Sequence, residues 1–388
     1  MTGRTFVQIP GPTNIPERVQ RAMHRPMVDH RGQAFAGFTK ALLPRVRQLF
    51  RSEQGTPLLF PSSGTGALES ALVNLFSPGD KLLAYNIGQF SAGTVNMAQQ
   101  LGLHVEEVVL PWGSAINPDA LHAVLAADTG HSIAGVLTIH NETATGVTND
   151  IAGIRQAMER AGHPALLMVD TVSGVGCIDF RFDAWGVDVA VTGSQKGLML
   201  PPGLGVLCVG DRALRAAGQS RTHKSYFDWA PHLLLNRQGY FPYTPPTSLL
   251  YGLAESLDML FEEGLEHVHA RHARLAEGVR RAVKAWGLSL LAIQPERASN
   301  VVSTVKLPEG IDGAALLAHA ETRLGLSLGA GLGPVAGKAF RIGHLGALNE
   351  LEVLATLGGI EMALHHAGVK LSLGSGVRAA QEWFLSEA

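Results

Sequence analysis

The sequence predicts an α/β protein, with a large unit built on a mostly parallel sheet between helices and then a smaller α+β unit. Three observations predict this. Short apolar β-type runs alternate with helix-patterned stretches from residue 58 to residue 210, and that alternation builds parallel sheets covered on both faces. The chain has 388 residues, above the roughly 250–300 at which a single core stops growing. Beyond a long helical tract, a second and shorter alternation begins near residue 299.

Composition narrows the function. Hydrophobic residues make up 46% and charged residues 16%, the profile of a compact protein with a sizeable core. Lys and Arg number 31 against 33 Asp and Glu, a net charge of -2, so neither nucleic acid nor a membrane surface is an expected partner. A small-molecule substrate is expected instead. Two cysteines, Cys177 and Cys208, cannot build a disulfide framework, and the sixteen histidines contain no H-x-x-x-H array for zinc. No apolar run reaches ~18 residues and no secretory pattern opens the chain, so a cytoplasmic protein without a bound metal is expected.

Taken in order, residues 1–20 carry Pro10, Gly11, Pro12 and Pro16 and read as an irregular arm. Residues 33–50 have helical spacing interrupted by Pro44. A strand starts at Leu58, and a turn of small residues opens a helix with Ala67, Leu68, Ala71, Leu72 and Leu75 on one side. Strands at 80–85, 104–110, 133–139 and 165–170 then alternate with helices at 91–101, 118–127 and 150–161. The runs 187–192 and 204–209 flank a Gly- and Pro-punctuated turn that contains Lys196. After a helical stretch at 211–218, an aromatic and Pro-rich loop at 226–247 reads as a subunit boundary. A helical tract at 248–286 breaks at Gly264. Strands at 299–307 and 338–344 and helices at 313–324 and 350–367 complete the chain. The expected division is an arm (1–20), a large domain (21–263) and a small domain (264–388).

In such sheets, ligands bind at the carboxyl ends of the strands. The polar residues at those ends are Ser63 to Thr65, His140 to Thr143, Asp170 and the Lys196 turn, with Phe90 beside them. Lys196 is either a solvated loop lysine or an amine whose pKa is lowered by burial so that it can attack a carbonyl. The Ser63–Gly64–Thr65 turn is either an ordinary cap or a phosphate cradle at a helix N-terminus. Asp170 is either a turn cap or the partner of a protonated pyridine nitrogen. Arg341 interrupts an apolar strand and needs an anion, supplied either by an internal salt bridge or by a substrate carboxylate.

Several stretches sharpen this reading: GPTNIPERV, SSGTGALESALVNLFSPGD, NIGQFS, HNETATGVTNDI, VDTVSG, VTGSQKGLMLPPGLG, YTPPTSLLYGL and FRIGHLG. With them, the chain resembles the class V aminotransferases of pyridoxal 5'-phosphate (PLP) fold type I, and within that class the serine–glyoxylate and alanine–glyoxylate type. The resemblance implies Lys196 as the Schiff-base lysine and proton-transfer base, with Asp170 on the ring nitrogen. It implies Phe90 and Val172 on the two ring faces and Thr143 near the ring's 3-oxygen. Ser63, Gly64, Thr65 and Gln195 would hold the phosphate, joined by Tyr243 and Thr244 from a second subunit of a homodimer or tetramer. Arg341 would grip the substrate α-carboxylate. Serine is the implied amino donor to glyoxylate, with aspartate and alanine as alternatives. A cysteine desulfurase-like lyase and a non-catalytic PLP-binding protein are further alternatives. Two departures stand out: Thr65 where some relatives have His, and Phe241 where the animal enzymes carry Tyr, which leaves Tyr243 or Tyr240 for the cross-subunit contact.

Overall fold

The computed structural model describes residues 5–386; residues 1–4 of the expected arm and 387–388 of the expected small domain lie outside the described residues. From the N-terminus, β1 (Phe6–Gln8) leads to α1 (Glu17–Met23) and α2 (Gln33–Leu49). Next come β2 (Thr56–Ser62), α3 (Gly64–Leu75), β3 (Lys81–Asn86), α4 (Gln89–Gln100), β4 (His104–Val109), α5 (Pro118–Ala127) and β5 (Ile133–Ile139). A small hairpin, β6 (Asn141–Glu142) and β7 (Val147–Thr148), precedes α6 (Ile151–Arg160), β8 (Leu166–Asp170), β9 (Val189–Gly193) and β10 (Gly203–Val209). Helices α7 (Asp211–Ala217), α8 (Trp229–Asn236), α9 (Thr247–Glu263) and α10 (Leu265–Ala285) follow. The remainder is β11 (Ser289–Leu290), β12 (Val302–Lys306), α11 (Gly313–Leu324), β13 (Leu326–Ala330), β14 (Ala339–Gly343), α12 (Glu350–His366) and α13 (Ser375–Ser386). Among the described residues, no helix is long and apolar enough to cross a membrane.

The large sheet has seven strands in the order β2-β10-β9-β8-β5-β3-β4. All its pairings are parallel except those of β10, which runs antiparallel to both β2 and β9. Its central strands are buried from end to end, as β8 (LLMVD) and β9 (VAVTG) illustrate, because helices cover both faces. The second sheet, β1-β13-β14-β12-β11, has its own core around Phe340, Ile342, Leu357 and Ile360.

Several elements differ from the sequence expectation. Phe6–Gln8 is no irregular arm: it pairs in parallel with Leu326–Leu328 and so ties the N-terminus to the second sheet. Helix α2 runs through Pro44, held by a buried face of Phe35, Leu42, Val46 and Leu49, whose packing outweighs the one hydrogen bond proline removes. The 226–247 stretch contains helix α8, capped by the Asp228 carboxylate, which accepts from the Ala230 N–H at 3.1 Å. The break at Gly264, by contrast, is as expected: it separates α9 from α10 at φ 84°, a left-handed value that favours glycine.

Candidate active site

The carboxyl ends of β2, β5, β8 and β9 converge on a cavity of about 460 Å³, within the usual range for small-ligand pockets. Gly64, Thr65, Phe90, Thr143, Asp170, Val172, Gln195 and Lys196 line it together. Eight of the twelve residues singled out by the sequence therefore share one wall. Ser63, Arg341, Tyr243 and Thr244 do not line it.

The Lys196 turn is held from both sides. Ser194 Oγ donates to the Pro201 carbonyl at 2.7 Å and accepts from the Leu204 N–H at 3.1 Å, which closes the β9–β10 connection. The Thr13 N–H donates to the Gln195 carbonyl at 3.1 Å, and Thr13 Oγ1 donates to the Lys196 carbonyl at 3.2 Å. The amine itself donates to the Pro10 carbonyl. Burial lowers the Lys196 pKa to about 8, with Arg341 adding to the shift and Asp170 opposing it. At neutral pH roughly a tenth of the amine is therefore unprotonated, far more than for an ordinary lysine.

Asp170 ends β8 between Ile139 and Val191 and is buried. Its Oδ1 accepts the Val172 N–H at 2.8 Å, while among the described residues Oδ2 has no hydrogen-bond partner. Desolvation pushes this carboxyl up to about 7, against the opposing effect of the Val172 N–H. A carboxylate so placed is suited to a cationic or N–H donor arriving in the cavity.

At the other end of the cavity, α3 begins at Gly64, and Ser63 Oγ accepts from the Gly66 N–H at 3.2 Å. Ser63 is thus a cap, while the N–H groups of Gly64 and Thr65 have no helical acceptor. Glycine is required at 64 by space, since a Cβ there would lie 2.7 Å from Val172 Cγ2. Beside it, the buried Gln195 Oε1 has no hydrogen-bond partner among the described residues. Phe90 is the second residue of α4 rather than the residue just ahead of it, and it is 43% exposed.

Arg341 lies on β14, paired with Thr304 and Gly329, and is buried. Its Nε donates to the Ala330 carbonyl at 2.8 Å and its Nη1 to the Thr143 carbonyl at 3.2 Å. The internal salt bridge is not formed: among the described residues no carboxylate contacts this guanidinium. Tyr243 Oη donates to the Tyr226 carbonyl at 2.8 Å and lies 2.7 Å from His232 Nε2, with its ring stacked on Tyr226 at 4.4 Å. Thr244 is exposed. Cys177 and Cys208 are buried and do not line the cavity, and burial pushes the Cys177 thiol up to about 11, which makes neither a nucleophile of the kind a desulfurase uses.

Sequence reasoning missed two contributors. Pro10 and Gly11 approach the lysine from the other sheet, and Gly11 leaves no room for a side chain, since a Cβ would lie 2.5 Å from Lys196 Cδ. Glu142 is wholly buried against the start of α4. The Pro-Gly-Pro run was a visible signal for the first. The second had none beyond its place in His140–Thr143.

A buried lysine with a lowered pKa, a carboxylate aimed into the same cavity, a bare helix N-terminus and an exposed aromatic face fit PLP. Together with the sheet order they define a PLP-dependent enzyme of fold type I. A family profile described as aminotransferase class-V matches residues 13–333. The chain is 52% identical over 386 residues to a serine–glyoxylate aminotransferase of Methylorubrum extorquens, covering 98% of this chain and 96% of that protein. It is 47% identical over 384 residues to an L-aspartate–glyoxylate aminotransferase of Paracoccus denitrificans, covering 99% and 97%. The crystal structure of pyridoxamine–pyruvate aminotransferase from Mesorhizobium loti superposes with a TM-score of 0.93 at 30% identity, covering 99% of this chain and 97% of that one. The chain belongs to the class-V aminotransferases. It is a PLP-dependent enzyme acting on small molecules.

Proposed function

We propose that the enzyme transfers the amino group of L-serine to glyoxylate, giving hydroxypyruvate and glycine. One observation carries the chemistry: Lys196, Asp170 and the N-terminus of α3 face one cavity, and the Arg341 guanidinium, which no carboxylate contacts among the described residues, donates to the carbonyl of the cavity residue Thr143. The near full-length likeness to a serine–glyoxylate aminotransferase supports the donor and acceptor. The aspartate–glyoxylate relative favours L-aspartate as the second reading. Alanine is the third small donor to compare.

When bound, PLP supplies the electron sink that makes the bond between Cα and hydrogen of an amino acid labile. The residues of this chain would do the rest. Lys196 would hold the cofactor covalently, and once released it would move a proton from substrate Cα to the cofactor's C4′ carbon, a task suited to an amine with a pKa near 8. Asp170 Oδ2 would accept a hydrogen bond from the protonated ring nitrogen. Phe90 and Val172 would cover the two ring faces, and Thr143 would approach the ring's 3-oxygen side. The N–H groups of Gly64 and Thr65, the Ser63 and Thr65 hydroxyls and Gln195 would take the phosphate. Arg341 would hold the α-carboxylate and so orient Cα toward Lys196.

The working enzyme on this reading is a cytoplasmic homodimer or a tetramer, in which Tyr243 and Thr244 complete the phosphate site of the neighbouring subunit. The exposed aromatic and apolar surface around Tyr226 and Leu234 supports that assembly, with Leu234 63% exposed. The division at Gly264 into a large and a small domain belongs to the same reading, with β1 carried in the small unit's sheet. The test is the absorbance of the purified enzyme before and after L-serine. The cofactor band should collapse with serine, and borohydride should fix the cofactor to Lys196 but not to a Lys196→Ala variant, which should lose turnover by at least ~10³-fold. A band that persists with serine yet collapses with aspartate would transfer the assignment to the aspartate enzyme. Absence of any lysine-bound cofactor would overturn the whole reading.

A further inference from the structure

Phe90 poses a mechanical problem. A side chain that is 43% exposed is not fixed by the packing around it, so its place on the cavity wall must be set by its own backbone. That backbone is held by one buried carboxylate. Glu142 Oε2 accepts the Ser91 N–H at 3.0 Å, Ser91 Oγ at 3.1 Å and the Phe90 N–H at 3.2 Å, and Oε1 accepts the Ala144 N–H at 3.0 Å. The backbone donors cannot reverse their role, so both oxygens act as acceptors at the positive end of a 12-residue helix, and these bonds oppose the burial that raises the carboxyl's pKa.

The neighbouring residue is shaped for this contact. Gly88 is extended (φ 171°), a conformation open to any residue, yet a Cβ there would lie 2.6 Å from both Glu142 Cγ and Cδ. Glycine at 88 is therefore a matter of space for the carboxylate. Glu142 also sits on the hairpin whose next two carbonyls bind the other sheet: Thr143 O accepts from Arg341 Nη1 at 3.2 Å, and Ala144 O accepts from Thr304 Oγ1 at 3.2 Å.

We infer that Glu142, accommodated by Gly88, is a positioning residue that pins the first turn of α4 to this hairpin and thereby sets Phe90 against the cofactor ring and in register with Arg341. The inference rests on the assignment of Phe90 to a ring face. It is tested by the dissociation constant of PLP from the apoenzyme, with the visible circular dichroism of the bound cofactor, in Phe90→Ala, Glu142→Gln, Gly88→Ala and the Phe90→Ala/Glu142→Gln double variant. An aromatic contact is worth about three- to tenfold in affinity. Glu142→Gln and Gly88→Ala should each weaken PLP by about that factor and diminish the dichroism, and in the double variant Glu142→Gln should add nothing to Phe90→Ala. Gly88→Ala keeps the carboxylate, so it carries the test should Glu142→Gln not fold. Normal PLP affinity and dichroism in Glu142→Gln and Gly88→Ala, beside a weakened Phe90→Ala, would overturn the inference alone, as would additive effects in the double variant. An unaffected Phe90→Ala would overturn it together with the Phe90 assignment.

Discussion

Replacing Asp170 by asparagine should stabilise the cofactor-free protein while it disables the enzyme. In the fold this carboxyl is pushed up to about 7 from an ordinary 3.8 by burial. Between those two values the native chain keeps a proton that the unfolded chain has released, so unfolding stability falls by about 1.4 kcal/mol for each pH unit. Across the interval this amounts to about 4 kcal/mol, spent in full above pH 7 and absent below pH 4. Asparagine retains an acceptor for the Val172 N–H at the same place, so Asp170→Asn removes the charge without orphaning that donor. Urea denaturation of both apoproteins from pH 4.5 to pH 8.5 should give curves that diverge as pH rises, with the variant ahead by roughly 2–4 kcal/mol at pH 8. Saturating PLP should narrow or reverse that lead, because a protonated ring nitrogen neutralises only the wild-type carboxylate. Stability profiles that stay parallel over this range would refute the placement of an uncompensated buried carboxyl in the cavity.

Arg341→Ala should raise KM for the amino donor by about 10- to 100-fold, with a smaller change in kcat, since a charged hydrogen bond contributes roughly 1.5–3 kcal/mol. Steady-state kinetics with an unchanged KM would remove Arg341 from substrate binding. Gly11→Ala should be severe for two separate reasons: φ is +105°, and the new methyl would lie 2.6 Å from Lys196 Nζ. Strain of this kind costs about 1–3 kcal/mol. Thermal unfolding should show that loss, and borohydride trapping of PLP should slow as the lysine is displaced; an intact trapping rate would contradict the contact.

The alternation of strands and helices was legible because each element carries its own period, and the chemical residues were legible because strand ends are where apolar runs stop. Lys196, Asp170 and Gly64 lie at such ends and reach one cavity. What was not legible depends on partners remote in sequence. The three residues Phe6–Gln8 have no strand signal of their own and become a strand only because Leu326–Leu328 offers an edge. The reversed direction of β10 leaves no trace in GLGVLCV, since residues buried on both faces look alike either way. Pro44 obeyed the local rule in reading and broke it in the fold, where α2 is held by tertiary packing. Glu142 was seen only as one of four polar residues after β5, because its partners lie 51 and 52 residues earlier.

The same distinction explains why these buried charges persist. Glu142 is compensated inside the chain by four donor groups, and its task is complete in the folded protein. Among the described residues Asp170 Oδ2 accepts no hydrogen bond, no carboxylate contacts Arg341, and the Lys196 amine donates to the Pro10 carbonyl. A fold selected for stability alone would replace these three with apolar or neutral groups. On the proposed reading their retention is accounted for by partners that arrive from outside: a ring nitrogen for Asp170, an aldehyde for Lys196 and a carboxylate for Arg341. On that reading each binding event removes a penalty that the fold carries by itself, so part of the affinity for cofactor and amino acid comes from relief of buried, poorly partnered charge.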